Sequence, residues 1–153
     1  MYLLDGPPFT RKEDENVVVD GYGNEVRLFP GTEEVLAEIV QSEQYAAGAI
    51  QIGYASRTNY PEWALECLSK LSCPGAPERS LLEIASFKEI YPGDKKTHFR
   101  RFHEKSKVDL EHMIFFDNER RNCTSVSQLG VQCVYTPDGM TYAAWVRGLE
   151  RFN

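Results

Sequence analysis

The chain has 153 residues, 42% of them apolar, and carries a net charge of −6 at neutral pH, with an isoelectric point near 5.1. That length suits one domain with a single core, and the acidity argues against a nucleic-acid backbone binder, which would show a basic face. A mean hydropathy of −0.44, and no apolar run approaching the roughly 18 residues a membrane span needs, argue against a spanning helix.

Residues 1–15 read as loop. They hold Gly6-Pro7-Pro8 and a charged run from Arg11 to Glu15, with neither the basic n-region nor the apolar h-region of a signal peptide. Asn16–Asp20 and Glu25–Phe29 flank Gly21-Tyr22-Gly23-Asn24, so 16–29 reads as a β-hairpin. Thr32 is a candidate N-cap for a helix burying Val35, Leu36, Ile39 and Val40. The pattern then alternates: strand 49–55, helix 61–71, loop 73–80, strand 86–91, a helix opened by Pro92-Gly93-Asp94 and carrying Phe99 and Phe102. A strand ending at Asp117, a helix stopped by Gly130, strand 131–135 and a terminal helix 141–152 complete it. Strand–helix repetition of this kind implies right-handed crossovers and an α/β fold, a parallel sheet with helices on both faces.

The chemistry should lie beyond the carboxyl ends of the strands, where such sheets bind ligands. Three strand ends carry polar side chains. Ser56, with Arg57 and Thr58, follows strand 49–55, and its hydroxyl and the following N–H groups could bond a phosphate oxygen or simply cap a turn. Lys95 and Lys96 open a helix against its dipole, which makes sense if an anion sits there too; His98 reads as a helix-surface residue. Asp117 follows four apolar residues, Met113 to Phe116, and either caps the next helix or handles a metal or phosphate. Cys67, Cys73, Cys123 and Cys133 show no Cys-x-x-Cys spacing and read as free thiols of a reducing, cytoplasmic compartment.

Taken together, Ala55-Ser56-Arg57-Thr58, the run Glu89 to Phe99, the run Phe115 to Asn122, and the tail from Leu129-Gly130-Val131 to Asp138-Gly139-Met140 resemble motifs of the haloacid dehalogenase (HAD) superfamily. The closer likeness is to its eukaryotic magnesium-dependent phosphatases. The likeness runs from Gly6-Pro7-Pro8-Phe9 onward. It implies a single Rossmann-like, HAD-like domain: 1–15 loop, 16–29 hairpin flap in place of a large cap, 30–153 α/β core. It implies that Ser56 and Arg57 contact the phosphate or substrate, that Lys95 (or Lys96 in its stead) neutralises phosphate and nucleophile charge, and that Asp117 holds Mg²⁺. Asn118 stands where the family usually has a second acid, so it would grip the metal more weakly.

The family's reaction starts at an apolar strand ending Asp-x-Asp. The first Asp forms an aspartyl-phosphate and the second serves as acid and base. No Asp-x-Asp occurs in these 153 residues; Leu3-Leu4-Asp5 is only a faint likeness, with Pro7 where the second acid would stand. The resemblance therefore implies an amino-terminally truncated form lacking the sheet's central strand, with that strand's neighbours left unpaired. Two functions follow as expectations. One is a magnesium-dependent phosphomonoesterase acting on a phosphorylated small molecule or phosphoprotein, protein-tyrosine and sugar phosphates included. The other is an inactive phosphate-binding or interaction module. A nucleotide-binding doubly wound domain is disfavoured, because no glycine-rich first βα turn is present.

Overall fold

The computed structural model describes residues 5–12 and 15–152. Leu3 and Leu4, two of the three residues of the faint nucleophile likeness, lie outside them, as do Glu13 and Asp14 of the charged run.

The first unit is antiparallel. Strands β1 (Thr10–Lys12), β2 (Val17–Val19) and β3 (Glu25–Val26) pair in that order. Residues 10–12, expected as loop, are a strand instead. Val17–Val19 is a β-branched run, and Thr10 to Lys12 take up the edge that the β2–β3 hairpin leaves bare. Asp20 organises the turn. It accepts the backbone N–H groups of Asp5, Tyr22 and Asn24 and the Asn24 amide at 2.9–3.0 Å. Those donors, the Asn24 side chain first, hold its carboxyl well below the ordinary range.

Helix α1 (Pro30–Gln41) begins two residues before the expected cap. Pro30 at its first position presets φ, and Phe29 is the N-cap residue without a side-chain bond, so Thr32 lies inside the first turn. The short α2 (Glu43–Ala46) follows. Residues 49 and 50 are not ladder residues: their N–H groups bond to Gln44 O in α2, so β4 starts late, at Gly53, and runs to Ser56. After α3 (Pro61–Lys70), the segment expected as loop forms a hairpin, β5 (Ser72–Cys73) with β6 (Ala76–Ser80). Its link is Pro74-Gly75, with Gly75 at φ +83°, the conformation a type II turn requires at that position. A capping box between Ser80 and Glu83 opens α4 (Leu81–Ile84).

The remaining strands are parallel and come as two separate pairs. β4 pairs with β7 (Phe87–Ile90), and β8 (Ile114–Asp117) pairs with β9 (Gln132–Tyr135). No ladder joins β4 to β8 among the described residues. On β4 the Ile52 and Ser56 carbonyls bond toward β7, which turns the polar groups of Gly53 and Ala55 the other way; on β8 the Met113 and Asp117 carbonyls bond toward β9, which does the same for Ile114 and Phe116.

Side chains rather than ladders join the halves, and α5 (Lys95–Ser106) supplies them. Phe99 packs edge-on to Phe115 of β8 at 4.8 Å, and Phe102 packs edge-on to Phe87 of β7 at 6.3 Å. Gly53 of β4 gives Phe102 its room: a Cβ there would lie 3.2 Å from the ring. Val126 of α6 (Arg120–Ser127) and Val131 close this core. A second core holds Phe9, Val18 and Val26 of the antiparallel unit against Leu36, Cys67, Leu71, Leu81 and Ile84. Asn16 anchors that unit by bonding both N–H and C=O of Ser72 at 2.8 Å. The terminal helix α7 (Tyr142–Glu150) lies beside α1, with Trp145 Nε1 donating to Glu38 at 2.9 Å.

The chain thus has a mixed α/β fold built on parallel strand pairs, with the candidate residues at the pairs' carboxyl ends.

Candidate phosphate and metal site

Ser56 is the last residue of β4, Asp117 the last of β8, and Lys95 the first of α5. A lysine at a helix N-terminus would add to the dipole's positive end. Here Asp94 answers the dipole instead: its carboxylate caps the helix by accepting Lys96 N–H at 2.7 Å, and that bond draws its carboxyl below the ordinary range. Lys95 turns inward. Its ammonium donates to Ala55 O, on the edge of β4 away from β7, and lies 3.7 Å from Asp117 Oδ2. The two side chains are 6% and 10% exposed. Burial pulls the Lys95 pKa down; the Asp117 charge opposes that pull and Arg57 adds to it.

Asp117 is held from the other side. Its Oδ1 accepts Glu119 N–H at 2.7 Å and Asn122 Nδ2 at 3.0 Å, leaving Oδ2 to face Lys95. Asn122 is buried, and nothing in the sequence reading set it apart, although it lies in the run that carries the resemblance. Its signal was its place five residues after the acid, on the first turn of the following helix.

Arg57 does not point freely to solvent. It donates to Glu119 at 2.7 Å, and Glu119 also binds Arg121 at 2.6 Å. Arg121 first, and Arg57 with it, hold the Glu119 carboxyl below its ordinary range. Asn118 is exposed beside Asp117, and Lys96 reaches the Gln128 side chain, away from Asp117. His98, expected on the helix surface, is instead fully buried, because its ring stacks on Tyr91 at 4.3 Å and its nitrogens meet carbonyl oxygens.

The site therefore gathers one ammonium, one oriented carboxylate, an arginine held in reserve, and a serine at a strand end. Its donors are hard oxygens, the kind Mg²⁺ accepts, and Mg²⁺ commonly makes do with one or two carboxylates, water and phosphate oxygens. Asp117 Oδ2 and the adjacent Asn118 fit part of such a shell. Among the described residues no group of three or more His, Cys, Asp and Glu side chains could enclose a metal, so the fit is that of a partial shell completed by ligand oxygens.

The sequence matches the acid phosphatase family over residues 1–153. The chain belongs to this family of HAD-like magnesium-dependent phosphatases. It is 39% identical to human magnesium-dependent phosphatase 1 over 146 residues, 95% of this chain and 74% of that protein. It is also 31% identical to a HAD-like hydrolase superfamily protein of Schizosaccharomyces pombe over 121 residues, 78% of this chain and 66% of that one. A helix cap alone would need neither a buried lysine opposite Asp117 nor Asn122 behind it.

Proposed function

We propose that these residues form the phosphate- and magnesium-binding face of a phosphomonoesterase. The observation that carries the reading is the buried Lys95–Asp117 pair beside the end of β4: an ammonium and a hard-oxygen donor next to each other suit a phosphate that shares a divalent cation with the protein. The name of the human relative, a magnesium-dependent phosphatase, supports both the cation and the reaction class.

In this reading the Lys95 ammonium binds a non-bridging phosphate oxygen and offsets its charge. The Ser56 hydroxyl and the N–H groups that follow it orient the phosphate. Arg57 leaves Glu119 to meet the substrate, while Asn122 and the Glu119 N–H keep Asp117 Oδ2 aimed into the site. Mg²⁺, when bound by Asp117 and Asn118, would act as a Lewis acid that neutralises phosphate charge. Substrates are phosphorylated small molecules or phosphoproteins, and free thiols at all four cysteines favour a reducing compartment such as the cytoplasm.

A second reading, a non-catalytic phosphate-binding module, is favoured by two facts: no Asp-x-Asp occurs in the 153 residues, and β4 and β8 are not paired with each other. One experiment separates the two. The chain is assayed with an aryl phosphate and Mg²⁺, alone and co-expressed with a peptide whose apolar run ends in Asp-x-Asp. Turnover that appears only with the peptide, and is lost in Asp117→Ala, supports the phosphatase reading. Phosphate binding with no turnover in either case supports the module, and neither binding nor turnover sinks both.

A further inference from the structure

His98 is a fully buried histidine with no part in the proposed chemistry. Its surroundings are unusual for a core histidine. Nε2 lies 3.2 Å from Ser56 O and 3.1 Å from Tyr91 O, and Nδ1 lies 3.1 Å from Asp94 O. Each of those carbonyls belongs to a different segment of the site. Ser56 ends β4, Tyr91 follows β7, and Asp94 caps the helix on which Lys95 is the first residue. Ser56 O also accepts Tyr91 N–H at 3.0 Å, so the same carbonyl is tied twice. The ring stacks nearly flat on Tyr91, 10° from parallel, which fixes its plane.

We propose that His98 is a positioning residue: Nε2–H donates to the Ser56 and Tyr91 carbonyls and so sets the spacing between Ser56 and Lys95 that phosphate recognition requires. The physical reason is geometric. Lys95 rides on the first turn of α5, and Ser56 on a strand whose other edge has no ladder among the described residues. The β4–β7 ladder fixes the two strands to each other but not to the helix. One imidazole, a turn into that helix, joins all three. A buried hydrogen bond to a carbonyl gives direction that apolar packing does not. The inference rests on the phosphate-site reading for its functional meaning, but the positioning itself is measurable without phosphate.

The test uses the 153-residue chain and three variants. His98→Phe keeps the ring and removes both nitrogens; His98→Gln keeps a donor near Nε2; His98→Asn places an amide only near Nδ1, short of the Ser56 and Tyr91 carbonyls. Lysine labelling by acetic anhydride, read by mass spectrometry, reports how well Lys95 is held, and Lys105, anchored to Glu89 at the far end of α5, controls for general loosening. The expected result is that Lys95 labels at least fivefold faster in the Phe and Asn variants, that the Gln variant stays near the parent, and that Lys105 does not change. The histidine ¹⁵N spectrum of the parent should show Nε2 protonated. Inorganic phosphate titration should follow the same order, with affinity falling about tenfold in the Phe variant. Unchanged Lys95 labelling in His98→Phe, parallel acceleration of Lys95 and Lys105, or an unprotonated Nε2 overturns the proposal. If the parent binds no phosphate while the labelling order holds, the positioning stands and the phosphate reading of the site falls.

Discussion

Lys95 and Asp117, 22 positions apart on α5 and β8, meet at 3.7 Å between Nζ and Oδ2 in a setting that leaves each about one-tenth exposed or less. The ammonium and a divalent cation compete for the same carboxylate oxygen. Replacing Lys95 with Met should therefore weaken inorganic phosphate binding tenfold or more while strengthening Mg²⁺ binding, because opposite charges at such a distance interact by several kcal/mol at effective protein dielectrics, about 4 kcal/mol before desolvation. Calorimetric titration with each ion checks both directions. A fall in both affinities together would mean that the site has collapsed.

Asn122 offers a test of the support behind Asp117. Asn122→Ala removes one of the two donors to Oδ1 and leaves that oxygen with Glu119 N–H alone. Partners behind a metal-binding carboxylate are typically worth ~10–100-fold in affinity. Mg²⁺ affinity should drop by that order, and stability by about 1–3 kcal/mol in urea unfolding.

Acid should loosen the arginine clamp. The folded Glu119 carboxyl titrates below its ordinary value of 4.5, so its contribution is present above that pH and is lost as pH falls through the lower folded value. Melting temperature should fall more steeply with acidification in the parent than in Glu119→Gln. Equal slopes would mean that the Arg57–Glu119–Arg121 cluster adds nothing to stability.

At the alkaline end the buried thiols are the first of the raised groups to act, since their ordinary value lies below that of tyrosine. Burial first, then the neighbouring Cys123 and Asp117, push the Cys133 thiol up to about 12, and burial pushes Cys67 up to about 11, against an ordinary 9.0. Raised values keep the protons on in the folded state, so stability is full below about pH 9 and declines as pH rises toward 11–12. Melting curves between pH 8 and 10.5 should show this decline, and Cys133→Ser should flatten part of it.

Gly75 tests the hairpin that the sequence did not announce. It sits at φ +83°, and a Cβ there would come within 2.9 Å of the Ala37 backbone on α1. Gly75→Ala should cost about 1–3 kcal/mol in urea unfolding, from backbone strain and overpacking together.

Much of the fold was readable because the strongest periodic signals carried it. The apolar run into Asp117 and the Pro61 start each sit where the structure has an element end, whereas the helix expected to run to Gly130 ends earlier, at Ser127, and Gly130 lies in the turn that follows. What stayed hidden was decided by tertiary contacts. Thr10–Lys12 becomes a strand only because β2 offers an edge, and Ser72–Ser80 becomes a hairpin only where Gly75 can lie against α1. In the site, the residue types at 56, 57, 95 and 117 stood out through strand-end position and family likeness. Their mutual geometry did not, since His98 reads as a surface position until Tyr91 stacks on it, and Asn122 reads as an ordinary helical asparagine until Asp117 is seen to need a donor.

The two unjoined strand pairs carry a consequence for amide exchange. In a continuous parallel sheet the middle strands are the slowest to exchange, since every N–H is locked from one side or the other. Here that order should give way to a comb. Tyr54, Ser56, Phe115 and Asp117 point their N–H groups into a ladder, while Ala55, Ile114 and Phe116 point theirs to edges that no strand pairs among the described residues. Deuterium uptake along β4 and β8 should alternate residue by residue, and a peptide that filled the space between them would erase the alternation, making exchange a direct gauge of whether a strand has bound there.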